Sequence, residues 1–129
     1  MSKIERFEDL EVWKMARSFS KNIYLTLEKK PFLTNYRLRD QMRRSDGSIM
    51  DNIAEGFERS GNKEFVQFLF ISKGSCGEVR SQLYRALDVG YICQEEFEKL
   101  YQEALKISQS LSGFIKYLKA YEFQGTKYN

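Results

Sequence analysis

Three acidic residues, Asp51, Glu55 and Glu58, have the three- and four-residue spacing that places side chains together on a helix. Paired carboxylates in a helical bundle can bind two metal ions or act as a general acid and base. Such di-iron sites also use histidine, and this chain of 129 residues has none. Because Glu55 and Arg59 fit a surface ion pair, we predict a solvated face with no catalytic residue, metal or cofactor.

Three possible nucleophiles, Ser72, Ser75 and Cys76, lie close together in the chain. Each would need an activating base, and none is identifiable from the sequence. The surrounding "KGSCGEV" lacks the spacing of a phosphate-binding loop and lies within helical periodicity. The lack of histidine also removes the side chain best suited to proton transfer near neutral pH. We therefore expect no enzymatic activity.

Positive charge is concentrated in residues 29–44, although the net charge of the whole chain is only +3. Cations in such number could neutralise several phosphates of RNA or DNA, and the aromatic residues among them could stack on unpaired bases. We predict a nucleic-acid-binding surface here, with an ordinary solvated helix face as the alternative. Its predicted binding residues are Lys29, Lys30, Arg37, Arg39, Arg43 and Arg44.

Helical periodicity extends over most of the chain and is interrupted in three places. Pro31 should end the first helix, Gly61 should stop the second while Asn62 caps the third, and Gly90 should end the third. Short connections favour antiparallel neighbours, so the sequence predicts one all-α domain over residues 1–129, an up-down-up-down four-helix bundle. The predicted helices are 9–29, 35–59, 62–89 and 94–121.

The second predicted helix has polar residues within its apolar stripe. Ser45 and Asp46 fall on the side formed by Leu38, Met42, Ile49, Ile53 and Phe57. An unpaired buried carboxylate is costly, so Asp46 should accept hydrogen bonds from Ser72, Ser75 or an arginine and thereby fix helix register. The alternative is a polar marker at a subunit boundary or channel.

Another side of this helix carries small residues. Gly47 costs about 1 kcal/mol relative to alanine, which the close approach of another helix should offset. Gly74 and Gly77 in the third helix point to tight packing within the bundle or between subunits, or else to a ligand groove. The predicted oligomer interface consists of Tyr36, Gly47, Met50 and Ala54.

Segments 7–17, 41–83 and 86–100 closely resemble the four-helix bundle proteins encoded by intervening sequences of bacterial 23S rRNA genes. They begin "FEDLEVWKMAR", "QMRRSDGSIMDNIAEGF" and "ALDVGY". The resemblance implies a ring-like homopentamer in bacteria, without known enzymatic activity. Some relatives resemble accessory proteins of diversity-generating retroelements, in which a basic pentamer binds nucleic acid and a reverse transcriptase. Family-typical residues, assigned first to packing and assembly, are Arg43, Arg44, Asn52, Ala54, Glu55, Gly56 and Phe57, with Asn52 and Glu55 as structural polar residues.

Two functions remain open at this level. The first is a non-enzymatic homo-oligomer that binds RNA or DNA through residues 29–44. The second is a homo-oligomeric scaffold that recruits a protein such as a reverse transcriptase and does not itself bind nucleic acid. The charged start of the chain and the absence of a run of about 18 apolar residues predict a soluble, cytoplasmic protein without membrane contact.

Overall fold

The structure, a computed structural model, describes residues 4–124. These residues contain a short 3₁₀ turn, Phe7–Asp9, and five α-helices, with no β-strand. The prediction of an all-α helical bundle is confirmed. The helices are α1 (Glu11–Leu27), α2 (Lys30–Leu33), α3 (Tyr36–Glu58), α4 (Asn62–Asp88) and α5 (Gln94–Gln124).

The additional helix α2 lies where the sequence predicts only a break. α1 ends at Leu27, and Pro31 occupies the first turn of α2, where its missing N–H would have had no partner within the helix. Phe32 is fully buried and meets Tyr91 edge-to-face, with ring centroids 5.2 Å apart. Pro31 therefore lies in the first turn of a short helix, and Phe32 anchors that helix to the core.

Glycines at two connections adopt positive φ angles, which glycine alone adopts without strain. Gly61, with φ +90°, is the N-cap of α4, whereas Asn62 is its first residue, so the predicted Asn62 cap is wrong. Gly90, with φ +80°, follows the end of α4, and the Tyr91 N–H donates to the Ala86 carbonyl at 2.9 Å. This is the predicted stop at Gly90.

Neighbouring long helices run in opposite directions. Between α3 and α4, Ser72 Oγ donates to the Ile49 carbonyl at 2.9 Å, and Arg85 donates to Gln41 Oε1 at 3.1 Å. Residue numbers thus rise along α3 as they fall along α4. Contacts between α1 and α3 show the same antiparallel order, since Glu28 meets Arg39 and Ser20 meets Asp46. So do those between α4 and α5, where Phe70 meets Lys119 and Tyr84 meets Tyr101.

One apolar core lies between the four long helices, and it contains most of the predicted stripe residues. Phe57 is an exception, because it is only half-buried and packs edge-to-face on Phe65 at 5.9 Å. Its neighbour Gly56 is buried instead, and a Cβ added there would lie 2.6 Å from Phe68 Cβ. The absence of a side chain at Gly56 therefore lets α3 and α4 pack closely.

Among residues 4–124, no helix combines the length and the apolarity that crossing a lipid bilayer requires.

Candidate nucleic-acid interface

The six predicted cations lie near one end of the bundle but face different ways. Lys29 caps the start of α2, and its Nζ is 2.5 Å from Glu96 Oε2 on α5. This hydrogen bond raises the pKa of Lys29 and lowers the pKa of Glu96. Because its ammonium group already faces a carboxylate, Lys29 is poorly placed to bind phosphate.

Arg39 and Arg43 connect α3 to the end of α1. Arg39 is only 18% exposed, and its Nε donates to the Leu27 carbonyl at 3.1 Å, while a terminal nitrogen is 3.3 Å from Glu28 Oε2. Arg43 is 3.6 Å from the same carboxylate and lies over the Tyr24 ring at 5.1 Å. Both guanidinium groups are therefore engaged within the chain.

Lys30, Arg37 and Arg44 are the predicted cations that remain exposed. Arg44 has a side chain 80% exposed and pairs with Asp40 at 3.0 Å, a surface contact of little energetic weight. Within the described residues, neither Lys30 nor Arg37 lies within ion-pair distance of a carboxylate. Tyr36, 75% exposed, joins them. An open groove of about 460 Å³ is lined by Tyr36, Arg37, Asp40, Gln41 and Arg44.

A second groove, of about 430 Å³, adjoins the first and runs between α3 and α4. Gln41 and Arg44 line both grooves, so the two are neighbours on the same surface. Arg85 of α4 joins them, with its guanidinium donating to Gln41 Oε1 at 3.1 Å. The sequence does not predict Arg85, because it lies outside residues 29–44. Only the antiparallel register of α3 and α4 brings it opposite Gln41. The lining of the second groove is Gln41, Arg44, Ser45, Ser48, Glu78, Ser81, Gln82 and Arg85.

Short polar side chains form the floor of this second groove. Gln82 Nε2 donates to Ser45 Oγ at 3.0 Å, and Ser75 Oγ donates to Ser48 Oγ at 2.8 Å. Asn52 Nδ2 donates both to Ser48 Oγ, at 2.9 Å, and to the Ser48 carbonyl, at 2.8 Å. These bonds fix the positions of the two serine hydroxyls, and they give Asn52 a structural part within α3.

Asp46 is 1% exposed, as its place in the apolar stripe predicts. Its hydrogen-bond donor is neither Ser72 nor Ser75. Ser20 Oγ on α1 donates to Asp46 Oδ2 at 2.6 Å, whereas Ser72 and Ser75 bond to α3 elsewhere. The other oxygen, Oδ1, is buried and has no hydrogen-bond partner among the residues that the structure describes. Burial raises the pKa of Asp46 to about 6, and the Ser20 hydrogen bond opposes part of that rise.

The remaining candidates for chemistry show no activated arrangement. Burial raises the pKa of Cys76 to about 12, so its thiol stays protonated at neutral pH. Asp51, Glu55 and Glu58 are exposed, and Glu55 forms the predicted ion pair with Arg59 at 2.7 Å. Among the side chains that the structure describes, no three from histidine, cysteine or acidic residues are close enough to hold a metal ion.

The predicted interface residues on α3 are partly open. Tyr36 is exposed, while Gly47, Met50 and Ala54 are half-buried. A Cβ added at Gly47 would meet no atom of the described residues within 4 Å beyond its own stretch of helix, and the same is true of Gly74 and Gly77. Close packing within the bundle therefore does not offset the cost of these three glycines. The assignment of this side of α3 to an oligomer interface stays a prediction.

The molecule is an all-α bundle whose polar features are open surface grooves. It therefore belongs to the class of small helical-bundle proteins. Residues 8–113 match the sequence model described as 23S rRNA-intervening sequence protein, so the chain belongs to that family. This agrees with the resemblance found in the sequence.

A crystal structure of a protein with unknown function, from the S23 ribosomal protein family of Bacteroides thetaiotaomicron, has a similar fold. The TM-score is 0.75 and the sequence identity 24%, over 81% of this chain and 98% of that chain. At this identity the likeness shows the fold alone. A comparison with curated proteins found no match.

Proposed function

We propose that the protein is a non-enzymatic helical bundle that binds nucleic acid through a basic face formed by Arg37, Arg44 and Arg85, with Tyr36 at one end. The observation that carries the proposal is that these arginines, from two helices, line two neighbouring open grooves. Guanidinium groups suit phosphate because they donate several hydrogen bonds in a fixed plane. An exposed tyrosine beside them suits the stacking of an unpaired base.

The charge of the basic face implies moderate, salt-sensitive affinity. Its three arginines share the grooves with two acids, Asp40 and Glu78. The surplus is only 3 − 2 = +1 for each chain. If identical copies assemble, as the family resemblance implies, the face is repeated and the fields of the copies add. Binding of one strand by several copies would then exceed the affinity of one face.

Replacing Arg37, Arg44 and Arg85 together by alanine should weaken binding of single-stranded RNA roughly 10- to 100-fold at low salt. Loss of three phosphate contacts should also flatten the dependence of log affinity on log salt by about 2, since each contact contributes about 0.7 for single strands. Fluorescence anisotropy of a labelled oligonucleotide, titrated between about 50 and 200 mM salt, measures both quantities.

A matched control removes the same charge elsewhere. Lys21, Lys99 and Lys116 are exposed on α1 and α5, which do not line the grooves. Their replacement by alanine should leave the salt slope unchanged and lower the affinity only slightly. Equal losses in the two triple variants would show that binding follows net charge, and would contradict the basic face.

A homo-oligomeric protein-interaction scaffold is the second candidate function. It is favoured by Gly47, Gly74 and Gly77, which lie inside helices at a cost of about 1 kcal/mol each. No described residue outside their own stretch of helix lies within 4 Å of a Cβ added at any of the three. Contact with another copy would offset that cost. We propose self-assembly, with five copies as the family resemblance implies, for both candidates. The scaffold alone predicts an oligomer that recruits a protein such as a reverse transcriptase and leaves RNA unbound at physiological salt.

A further inference from the structure

Glu78 differs chemically from the other groups that line the groove between α3 and α4. The guanidinium groups of Arg44 and Arg85 are hydrogen-bond donors, and the remaining lining residues are serines and glutamines. Glu78 is exposed, and no cation within residues 4–124 lies within ion-pair distance of it. A groove whose cations attract an anion thus also contains a carboxylate, and a ligand that displaces water from this carboxylate must supply a donor in its place.

The serine hydroxyls on the floor are set up to donate. Ser48 Oγ already accepts from Ser75 and from Asn52, so both of its lone pairs are used and its own proton is available. Ser45 Oγ accepts from Gln82, and its proton is likewise available to a ligand. Gln82 Oε1 is a second acceptor in the lining and is buried without a partner among the described residues. A ligand in the groove must therefore present acceptors to the arginines and serines and donors to Glu78 and Gln82.

The carboxylate of Glu78 and the guanidinium group of Arg85 are well separated along α4. Glu78 and Arg85 are seven residues apart, two turns on one side of α4 and about 10 Å along its axis at 1.5 Å per residue. Direct pairing of the two side chains is therefore unfavourable. A ligand that spans the groove can place an anionic group at Arg85 and a hydroxyl group at Glu78.

A ribose-phosphate strand has this alternation of groups, because each phosphate acceptor is followed by a 2′-hydroxyl, which can donate. A DNA strand offers phosphates without that donor and would leave Glu78 unpaired beside anions. We infer that Glu78 accepts a hydrogen bond from a ribose 2′-hydroxyl and makes the α3–α4 groove selective for RNA over DNA. This inference rests on the proposed nucleic-acid binding and adds the class of strand bound.

The test measures the affinity of the native protein, Glu78→Ala and Glu78→Gln for three single strands of one uracil-containing sequence. The strands carry ribose, deoxyribose or 2′-fluoro-ribose, the last of which keeps an RNA-like sugar but lacks the donor. The native protein should prefer the ribose strand to both others by about tenfold, the worth of one charge-assisted hydrogen bond. Glu78→Ala should abolish that preference, with lower RNA affinity and higher DNA affinity, while Glu78→Gln retains part of it.

Two results overturn the inference without affecting the proposed function. One is equal affinity of the native protein for the three strands. The other is an equal rise in affinity for all three strands in Glu78→Ala, which would show that the carboxylate only repels phosphate. Failure of the native protein to bind any strand at low salt would instead overturn the proposed function itself, and this inference with it.

Discussion

Asp46→Asn should raise the free energy of unfolding at pH 7 by about 3 kcal/mol. The carboxyl is 1% exposed, one of its oxygens has no partner in the described chain, and burial raises its pKa from the ordinary 3.8 to about 6. A difference of roughly 2 pKa units corresponds to that free energy at 1.36 kcal/mol per unit. Asparagine occupies the same space without a charge and can still bond to Ser20.

The pH dependence of this effect has a definite sign. Between about pH 4 and pH 6 the folded chain holds a proton on Asp46 that the unfolded chain has lost. The folded state binds more protons there, so its stability falls as the pH rises and levels off above pH 6 to 7. Asp46→Asn should lack this fall and should differ little from the native protein below pH 4. Urea unfolding at a series of pH values measures the difference.

Ser20→Ala provides the complementary variant. Removal of the hydroxyl leaves the Asp46 carboxylate without its donor, so stability at pH 7 should fall by about 1 to 3 kcal/mol and the pKa of Asp46 should rise further. A lower stability of Asp46→Asn than of the native protein at pH 7 would contradict this account. That result would show that the carboxylate is used in its charged form, as at a subunit boundary.

Gly56→Ala should lower the free energy of unfolding by about 1 to 3 kcal/mol. The added Cβ would lie 2.6 Å from Phe68 Cβ, an atom held close to the backbone of α4, and 2.9 Å from the ring of Phe65. The helices must therefore move apart, at a cost that exceeds the gain of about 1 kcal/mol in helix propensity. Chemical denaturation followed by circular dichroism measures the change.

Gly74→Ala is the matched control, because it makes the same substitution on α4, where no described residue beyond the local helix lies within 4 Å of the new Cβ. In the isolated chain it should stabilise the helix by up to about 1 kcal/mol. Equal effects of the two substitutions would contradict the close α3–α4 contact at Gly56. A loss of stability in Gly74→Ala that depends on protein concentration would show instead that another copy covers Gly74.

Periodicity predicts most of the buried residues of α3, because a helix repeats every 3.6 residues whatever its neighbours are. It does not reveal which neighbouring helix each residue meets. The helical periodicity places Asp46 inward, but its contact with Ser20 depends on how α1 crosses α3. Gly47 and Gly56 likewise look equivalent in the sequence, and only the spacing of α3 and α4 distinguishes them. At four residues, α2 is too short to have a periodicity of its own.

The candidate site was predictable only in part for a related reason. The six cations of residues 29–44 are close in the chain, but they lie on different sides of the helices that carry them. Arg37 and Arg44, two turns apart, face the open grooves, whereas Arg39 and Arg43 face Glu28 of the neighbouring segment. Arg85 completes the basic face from another helix. Composition therefore predicts the charge, and tertiary packing decides which charges are free to bind a ligand.

Light scattering of the protein after size exclusion, with and without single-stranded RNA at physiological salt, tests the central claim most directly. We expect a mass several times the 15.3 kDa of one chain, which increases when RNA is added. The increase should disappear when Arg37, Arg44 and Arg85 are replaced, while the mass of the protein assembly stays the same. A mass of 15.3 kDa that RNA does not change would contradict both the assembly and the nucleic-acid-binding face.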